Sequence, residues 1–233
     1  MLTTFIQEGV DENLQELDPE SVEKTLSVFE LIMNGGPGAM IIIAILFVLL
    51  FVAVYIYFER IFAIKAASKI DKNFMNQIRE QVASGNLQGA KILCAQNNSP
   101  VARLTAKGIS RIGNPLEDIN TAIENAGRLE VYKLEKNVSV LATISGAAPM
   151  IGFLGTVIGM VLAFHQLATS SGQAEMGQLA EGIYTAMTTT VAGLIVGIIA
   201  YMAYNHVVVR TDKVVHSMEA SAVEFLDLLN EPS

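Results

Sequence analysis

The chain has 233 residues, 52% of them apolar, and a positive mean hydropathy, too high for an ordinary soluble domain of this length. A formal net charge of −8, with no basic patch interleaved with aromatics, excludes nucleic acid as a partner. The single cysteine, Cys94, excludes an internal disulfide framework and a cysteine-based metal cluster, and reads as a free thiol in a reducing compartment.

Residues 1–36 hold eight acids against one base, Lys24. The first apolar run begins only near residue 37, so the N-terminus does not read as a cleavable signal peptide and is expected to persist. Within it, residues 22–33 read as an amphipathic helix on the outer surface. Residues 39–58 carry no charge and are rich in Ile, Leu, Val and Phe. A helix of that length rises about 30 Å, one hydrocarbon thickness. This places span 1 at 37–60, bulky and aliphatic all round, as expected of a lipid-facing anchor.

Residues 61–137 read as a helical domain. Ile64, Ile70, Phe74, Ile78 and Val82 recur at helical intervals, and Gly85-Asn86, Asn97-Asn98-Ser99-Pro100 and Gly113-Asn114-Pro115 mark turns. Beyond Pro115 nothing interrupts the pattern, which predicts one helix from Leu116 through Arg128, Glu130, Lys133, Glu135 and Lys136 straight into the next span. The stretch 59–137 contains twelve of the fifteen Lys and Arg residues, so it is expected to be cytoplasmic.

Span 2 is expected at 138–165 and span 3 at 182–207, joined by an outward-facing connection at 166–181 that carries Glu175 and Glu181 but no base. Those acids read as solvated, or as attractors of cations at the outer mouth. Residues 208–233 return to the cytoplasm behind Arg210 and Lys213 as a helix with an apolar stripe that calls for partners. The topology is therefore N-terminus out, C-terminus in.

Spans 2 and 3 differ from span 1. Span 2 carries Ser145, Pro149, Gly152, Gly155, Thr156 and Gly159, and span 3 carries Thr185, Thr188, Thr189, Thr190, Gly193 and Gly197. The pairs Gly155/Gly159 and Gly193/Gly197 are GxxxG patterns, which let helices approach closely. The glycines and Pro149 are accordingly packing candidates. The three uncharged runs, 39–58, 138–164 and 182–209, offer no Asp, Glu, Lys or Arg within the membrane. Hydroxyls take their place. A single threonine can bond its own helix and do nothing further, whereas four within six residues beside a glycine face suggest a polar lining. Thr156, Thr185, Thr189, Thr190 and Ser145 are the ion-pathway candidates. His165 and His206 fall at opposite membrane ends and cannot share a metal; no metal or cofactor is expected.

Ala148-Pro149-Met150-Ile151-Gly152-Phe153-Leu154-Gly155-Thr156-Val157, followed by Gly159, resembles the A-P-x-x-G-x-x-G-T-V motif of span 2 in the ExbB/TolQ family. Gly182-Ile183, Ala186, Thr190, Gly193-Leu194 and Tyr204-Asn205 resemble that family's third span, and Leu134-Glu135-Lys136-Asn137 its approach to the membrane. MotA-type stators are similar more distantly, and the wording is closest to ExbB. The resemblance implies an all-α protein of the bacterial inner (cytoplasmic) membrane, forming a homopentameric ring around the helices of an ExbD/TolR-like partner. Proton motive force would then drive a TonB- or TolA-like protein. It also implies that Thr156 and Thr190 line the pore and meet the partner's membrane carboxyl group. One position departs: where relatives often carry a glutamate, this chain has Thr185, which leaves open the inward route of the ion and its identity, H⁺ or Na⁺.

Two other classes fit the residues less well. An intramembrane serine protease would need glycine where Thr143 stands before Ser145-Gly146, so an enzyme is not expected. A passive scaffold would conduct nothing. Uptake, envelope maintenance and motility, the ExbB-, TolQ- and MotA-like roles, are not separated by sequence.

Overall fold

The computed structural model describes residues 37–69, 73–169 and 176–230, and among them every regular element is helical. In chain order these are α1 (Pro37–Ala67), α2 (Phe74–Ala83), α3 (Leu87–Gln96), α4 (Pro100–Ile109), α5 (Leu116–Leu134), α6 (Val138–Thr169) and α7 (Met176–Asn230). Three of them, α1, α6 and the run from Gly182 in α7, are long and apolar enough to cross a membrane. The expected helix at 22–33 and the connection at 170–175 lie outside the described residues.

The short helices follow their punctuation. Asn86 caps α3, its side chain accepting from the Gly89 amide at 3.0 Å. Ser99 caps α4 through the Ala102 amide at 3.2 Å, with Pro100 in the first turn, where its missing N–H is not needed. Gly113 takes φ +101°, a backbone that favours glycine, and Pro115 stands at the start of α5.

The predicted unbroken helix from Leu116 into span 2 is corrected by the structure. Helix α5 stops at Leu134, and Asn137 adopts φ +62° before α6 begins at Val138. A left-handed residue cannot continue a right-handed helix, and asparagine is among the few side chains that adopt it at small cost. Hydrophobic periodicity does not record such a break, because one residue leaves the apolar pattern nearly in phase.

Helix α1 is not lipid-facing all round. Ile42, Leu46, Ala53, Ile56, Arg60, Ile64 and Ala67, spaced three, four or seven apart, are buried in one stripe, while Ile41, Phe47, Phe51, Tyr55, Phe58 and Phe62 are exposed. Both faces are equally apolar, so the sequence carries no amphipathic signal there. Helices α6 and α7 make the longest interface and α1 lies against both. Beyond the membrane stretch α7 continues without interruption and packs on α2, α4 and α5. Phe225 of α7 is 1% exposed and covers Gly108 of α4, where a Cβ would stand 2.5 Å from its Cε1 atom.

An ionic cluster ties these parts together. Glu130 of α5 meets Arg103 of α4 at 2.5 Å and Lys133 at 2.7 Å. Arg60, 6% exposed at the end of span 1, donates from Nη1 to the Lys133 carbonyl at 3.0 Å and also pairs with Glu59. A guanidinium on the last carbonyls of α5 complements the negative end of that helix.

A hydroxyl-lined seam between two glycine-rich helices

Helices α6 and α7 run antiparallel, and small residues bring their backbones nearly into contact. A Cβ built on Gly152 would stand 2.7 Å from the Thr189 carbonyl oxygen and 3.0 Å from the Gly193 Cα. On Gly193 it would stand 2.6 Å from the Ala148 carbonyl oxygen. Farther along α6 toward Thr169, Gly155 lies against the Thr189 side chain and Gly159 against Ala186; in the other direction Pro149 lies against Gly197. Only residues without a larger side chain permit such an approach.

Threonine hydroxyls occupy the seam beside the close approach of Gly152 to Gly193. Thr189 is fully buried, its Oγ1 lying 2.7 Å from the Ala186 carbonyl and 3.1 Å from that of Gly152. Thr190 Oγ1 lies 3.2 Å from the Gly152 carbonyl, and Thr156 Oγ1 lies 3.2 Å from the Ala186 carbonyl. Thr156 and Thr190, both partly buried, hydrogen-bond to each other through their hydroxyls.

Each hydroxyl has one proton and two lone pairs. The pair therefore has two proton arrangements. In one, Thr190 donates to Thr156, which donates to the Ala186 carbonyl; in the other, Thr156 donates to Thr190, which donates to the Gly152 carbonyl. Reversal requires only two hydroxyl rotations, and both states keep every donor satisfied.

The remaining candidates sit elsewhere. Ser145 donates to the Ala142 carbonyl of its own helix at 2.7 Å, and Thr188 to the Tyr184 carbonyl at 3.1 Å. Thr185, partly buried, is one turn from Thr189 toward the start of α7. The acceptor carbonyls of Ala186 and Gly152 were not anticipated from sequence; a backbone acceptor has no residue type of its own, and only the GxxxG register could have pointed to it. The histidines are apart, as expected from their positions. His206 Nε2 accepts from Arg210 Nε at 3.2 Å, so its proton is on Nδ1, which lies 2.9 Å from Tyr57 Oη. Among the described residues no group of three or more His, Cys, Asp or Glu could hold a metal.

Such a seam can hold and relay a proton or coordinate a small cation by oxygen, but residues 138–169 of α6 and 182–209 of α7 include no Asp, Glu, Lys or Arg.

Comparison with known proteins agrees in kind. Residues 96–220 match the MotA/TolQ/ExbB proton channel family. The chain is 27% identical over 197 residues to a putative biopolymer transport protein ExbB homolog of Methanothermobacter thermautotrophicus, covering 83% of this chain and 67% of that protein. It is 28% identical over 230 residues to the Tol-Pal system protein TolQ of Pseudomonas aeruginosa, covering 92% of this chain and 96% of that one. Among solved structures, C. jejuni MotAB is similar at 17% identity and a TM-score of 0.45, covering 98% of this chain and 90% of that chain. The chain, a membrane protein with three long apolar helices, belongs to the MotA/TolQ/ExbB proton channel family.

Proposed function

We propose that this chain is the ring-forming, ExbB-like subunit of an inner-membrane motor, non-enzymatic, that couples proton motive force to work on a TonB- or TolA-like partner. Five copies would enclose the membrane helices of an ExbD/TolR-like protein, with α2–α5 on the cytoplasmic side. The observation that carries this reading is the Thr156–Thr190 hydroxyl pair, set where residues 138–169 of α6 and 182–209 of α7 include no Asp, Glu, Lys or Arg. A conductor built this way needs its titrating group from outside. A carboxyl group from a partner helix would be costly to ionise in an apolar bore. In either state the hydroxyl pair keeps oxygen lone pairs that can accept from its protonated form, while donation to its ionised form requires one hydroxyl to turn from its seam carbonyl. A membrane potential of 100 mV supplies about 2.3 kcal/mol per charge moved, enough to bias such a step.

A TolQ-like role in envelope maintenance is the second reading, supported by the near end-to-end similarity to the Pseudomonas aeruginosa TolQ. Thr156→Val, which keeps the shape and removes the hydroxyl, tests what the two readings share. In a complex reconstituted with its single-span partner, it should abolish ion flux while Thr156→Ser retains it. Equal flux in the valine variant refutes the pore assignment.

A further inference from the structure

Tyr57 of α1 and His206 of α7 meet where two uncharged runs end. That of α1 stops after Phe58 and that of α7 after Val209, so their contact marks the boundary between hydrocarbon and headgroups. The two rings lie 5.8 Å apart, with Tyr57 Oη 2.9 Å from His206 Nδ1 and Arg210 Nε 3.2 Å from His206 Nε2.

The cationic end fixes the direction of these bonds. Arg210 can only donate, so His206 Nε2 is bare, Nδ1 carries the proton, and Tyr57 Oη accepts it. The proton of the Tyr57 hydroxyl and the two terminal nitrogens of Arg210 are left over, and among the described residues nothing accepts from them. No acid pairs with Arg210 either: Glu59, the one acid of α1, is held by Arg60, and Glu130 by Arg103 and Lys133. An exposed patch results that offers free donors and an unpaired positive charge at headgroup level.

The helix face leading from this patch into the membrane is apolar. Met202, Ile198 and Ile195 follow His206 at intervals of four, four and three residues, and each is more than half exposed. Ile195 also lines an apolar groove of about 410 Å³ between α1 and α7. From Arg210 to Ile195 the helix rises roughly 22 Å, about the distance from a lipid phosphate to the bilayer midplane.

We propose that Arg210 and Tyr57 hold the phosphate of an anionic phospholipid, with one acyl chain lying along Met202, Ile198 and Ile195. A phosphodiester accepts without donating, and its two free oxygens match the fork of a guanidinium. A zwitterionic headgroup would bring a second positive charge to Arg210, so a negative lipid is preferred. His206 is a positioning residue: it occupies Nε of Arg210 and leaves the two terminal nitrogens for the ligand. The leaflet is the cytoplasmic one in the orientation proposed above. The site depends on the membrane location of the chain and is independent of conduction.

The chain has no tryptophan, so Phe58→Trp places a single fluorophore beside Tyr57, whose ring Phe58 meets edge-on at 5.4 Å. The full chain carrying it is reconstituted in mixtures of phosphatidylcholine and phosphatidylglycerol, with one lipid or the other brominated on its acyl chains, and quenching reports which lipid occupies the site. Phosphatidylglycerol should be preferred about fivefold. Arg210→Gln should bring the two lipids level, and Tyr57→Phe should lower the preference about twofold. Lys213→Gln, one turn farther along α7, should leave it intact. His206→Leu should weaken the preference, and His206→Gln, whose amide oxygen can still accept from Arg210, should restore it; no difference between those two would refute the positioning role. Equal quenching by both lipids in the parent, a preference that survives Arg210→Gln, or one lost equally in Lys213→Gln overturns the site. Quenching by neither lipid would show that protein covers this face, and relief of quenching by soluble glycerol phosphate would assign the donors to a free phosphate. Either result overturns the lipid reading.

Discussion

Thr156 on α6 and Thr190 on α7 join hydroxyl to hydroxyl across the seam, each also within reach of a carbonyl of the opposite helix. Interhelical hydrogen bonds in membranes average about 0.6 kcal/mol and reach about 1.7 kcal/mol. A double-mutant cycle with Thr156→Val and Thr190→Val, read as thermal stability in detergent, should therefore give a coupling within about 0.5–1.7 kcal/mol. Strict additivity would mean that the two hydroxyls act separately.

Backbone proximity makes a sharper prediction about glycine. Gly152→Ala puts a methyl group against the Thr189 carbonyl and the Gly193 Cα, neither of which can rotate away. The helices must separate, at about 1–3 kcal/mol. Gly146→Ala, on the same helix with nothing within 4 Å of its Cβ, should be neutral or stabilising. Melting both variants checks the contrast, and equal destabilisation would argue against the close approach.

The Glu130 cluster predicts a pH dependence. Burial works to raise the Glu130 pKa, but hydrogen bonds and charge from Arg103 and Lys133 outweigh it and hold the carboxyl below its ordinary 4.5. A lowered pKa contributes stability that is present above 4.5 and is lost as pH falls through the lower folded value. Glu130→Gln should thus be less stable than the parent at pH 7 by about 1–2 kcal/mol, modest because both bases remain partly in water. The two proteins should converge in acid. A difference that stays constant down to pH 3 would place the effect elsewhere.

Cys94 is buried and its thiol is pushed up to about 11 by loss of solvation. Thiolate, not thiol, reacts, so the folded chain should resist maleimide at pH 7 and react on unfolding. The native chain then serves as its own background for topology. A cysteine introduced at 170–175 should label from the outer face only, and labelling from the cytoplasmic face alone would invert the orientation.

Much of this was legible from residue types. Length and absence of charge locate the three spans, because a bilayer imposes both on any helix that crosses it. The glycine and threonine pattern of α6 and α7 located the seam, since small residues have few other reasons to recur at four-residue spacing in an apolar helix. What escaped was geometry that residue type does not encode. Asn137 breaks α5 from α6 through one backbone dihedral. The buried stripe of α1 is as apolar as its exposed face. The clasp of Arg60 on the Lys133 carbonyl joins residues remote in sequence to a group every residue possesses.

The most direct measurement compares ion flux in liposomes containing this chain alone with flux after addition of the ExbD/TolR-like protein proposed above as its partner. The chain alone should be silent, the complex should conduct, and replacing the partner's membrane carboxylate by its amide should silence it again. Flux through the chain alone at the rate of the complex would contradict the central claim that the seam supplies hydroxyls and the titrating group comes from outside.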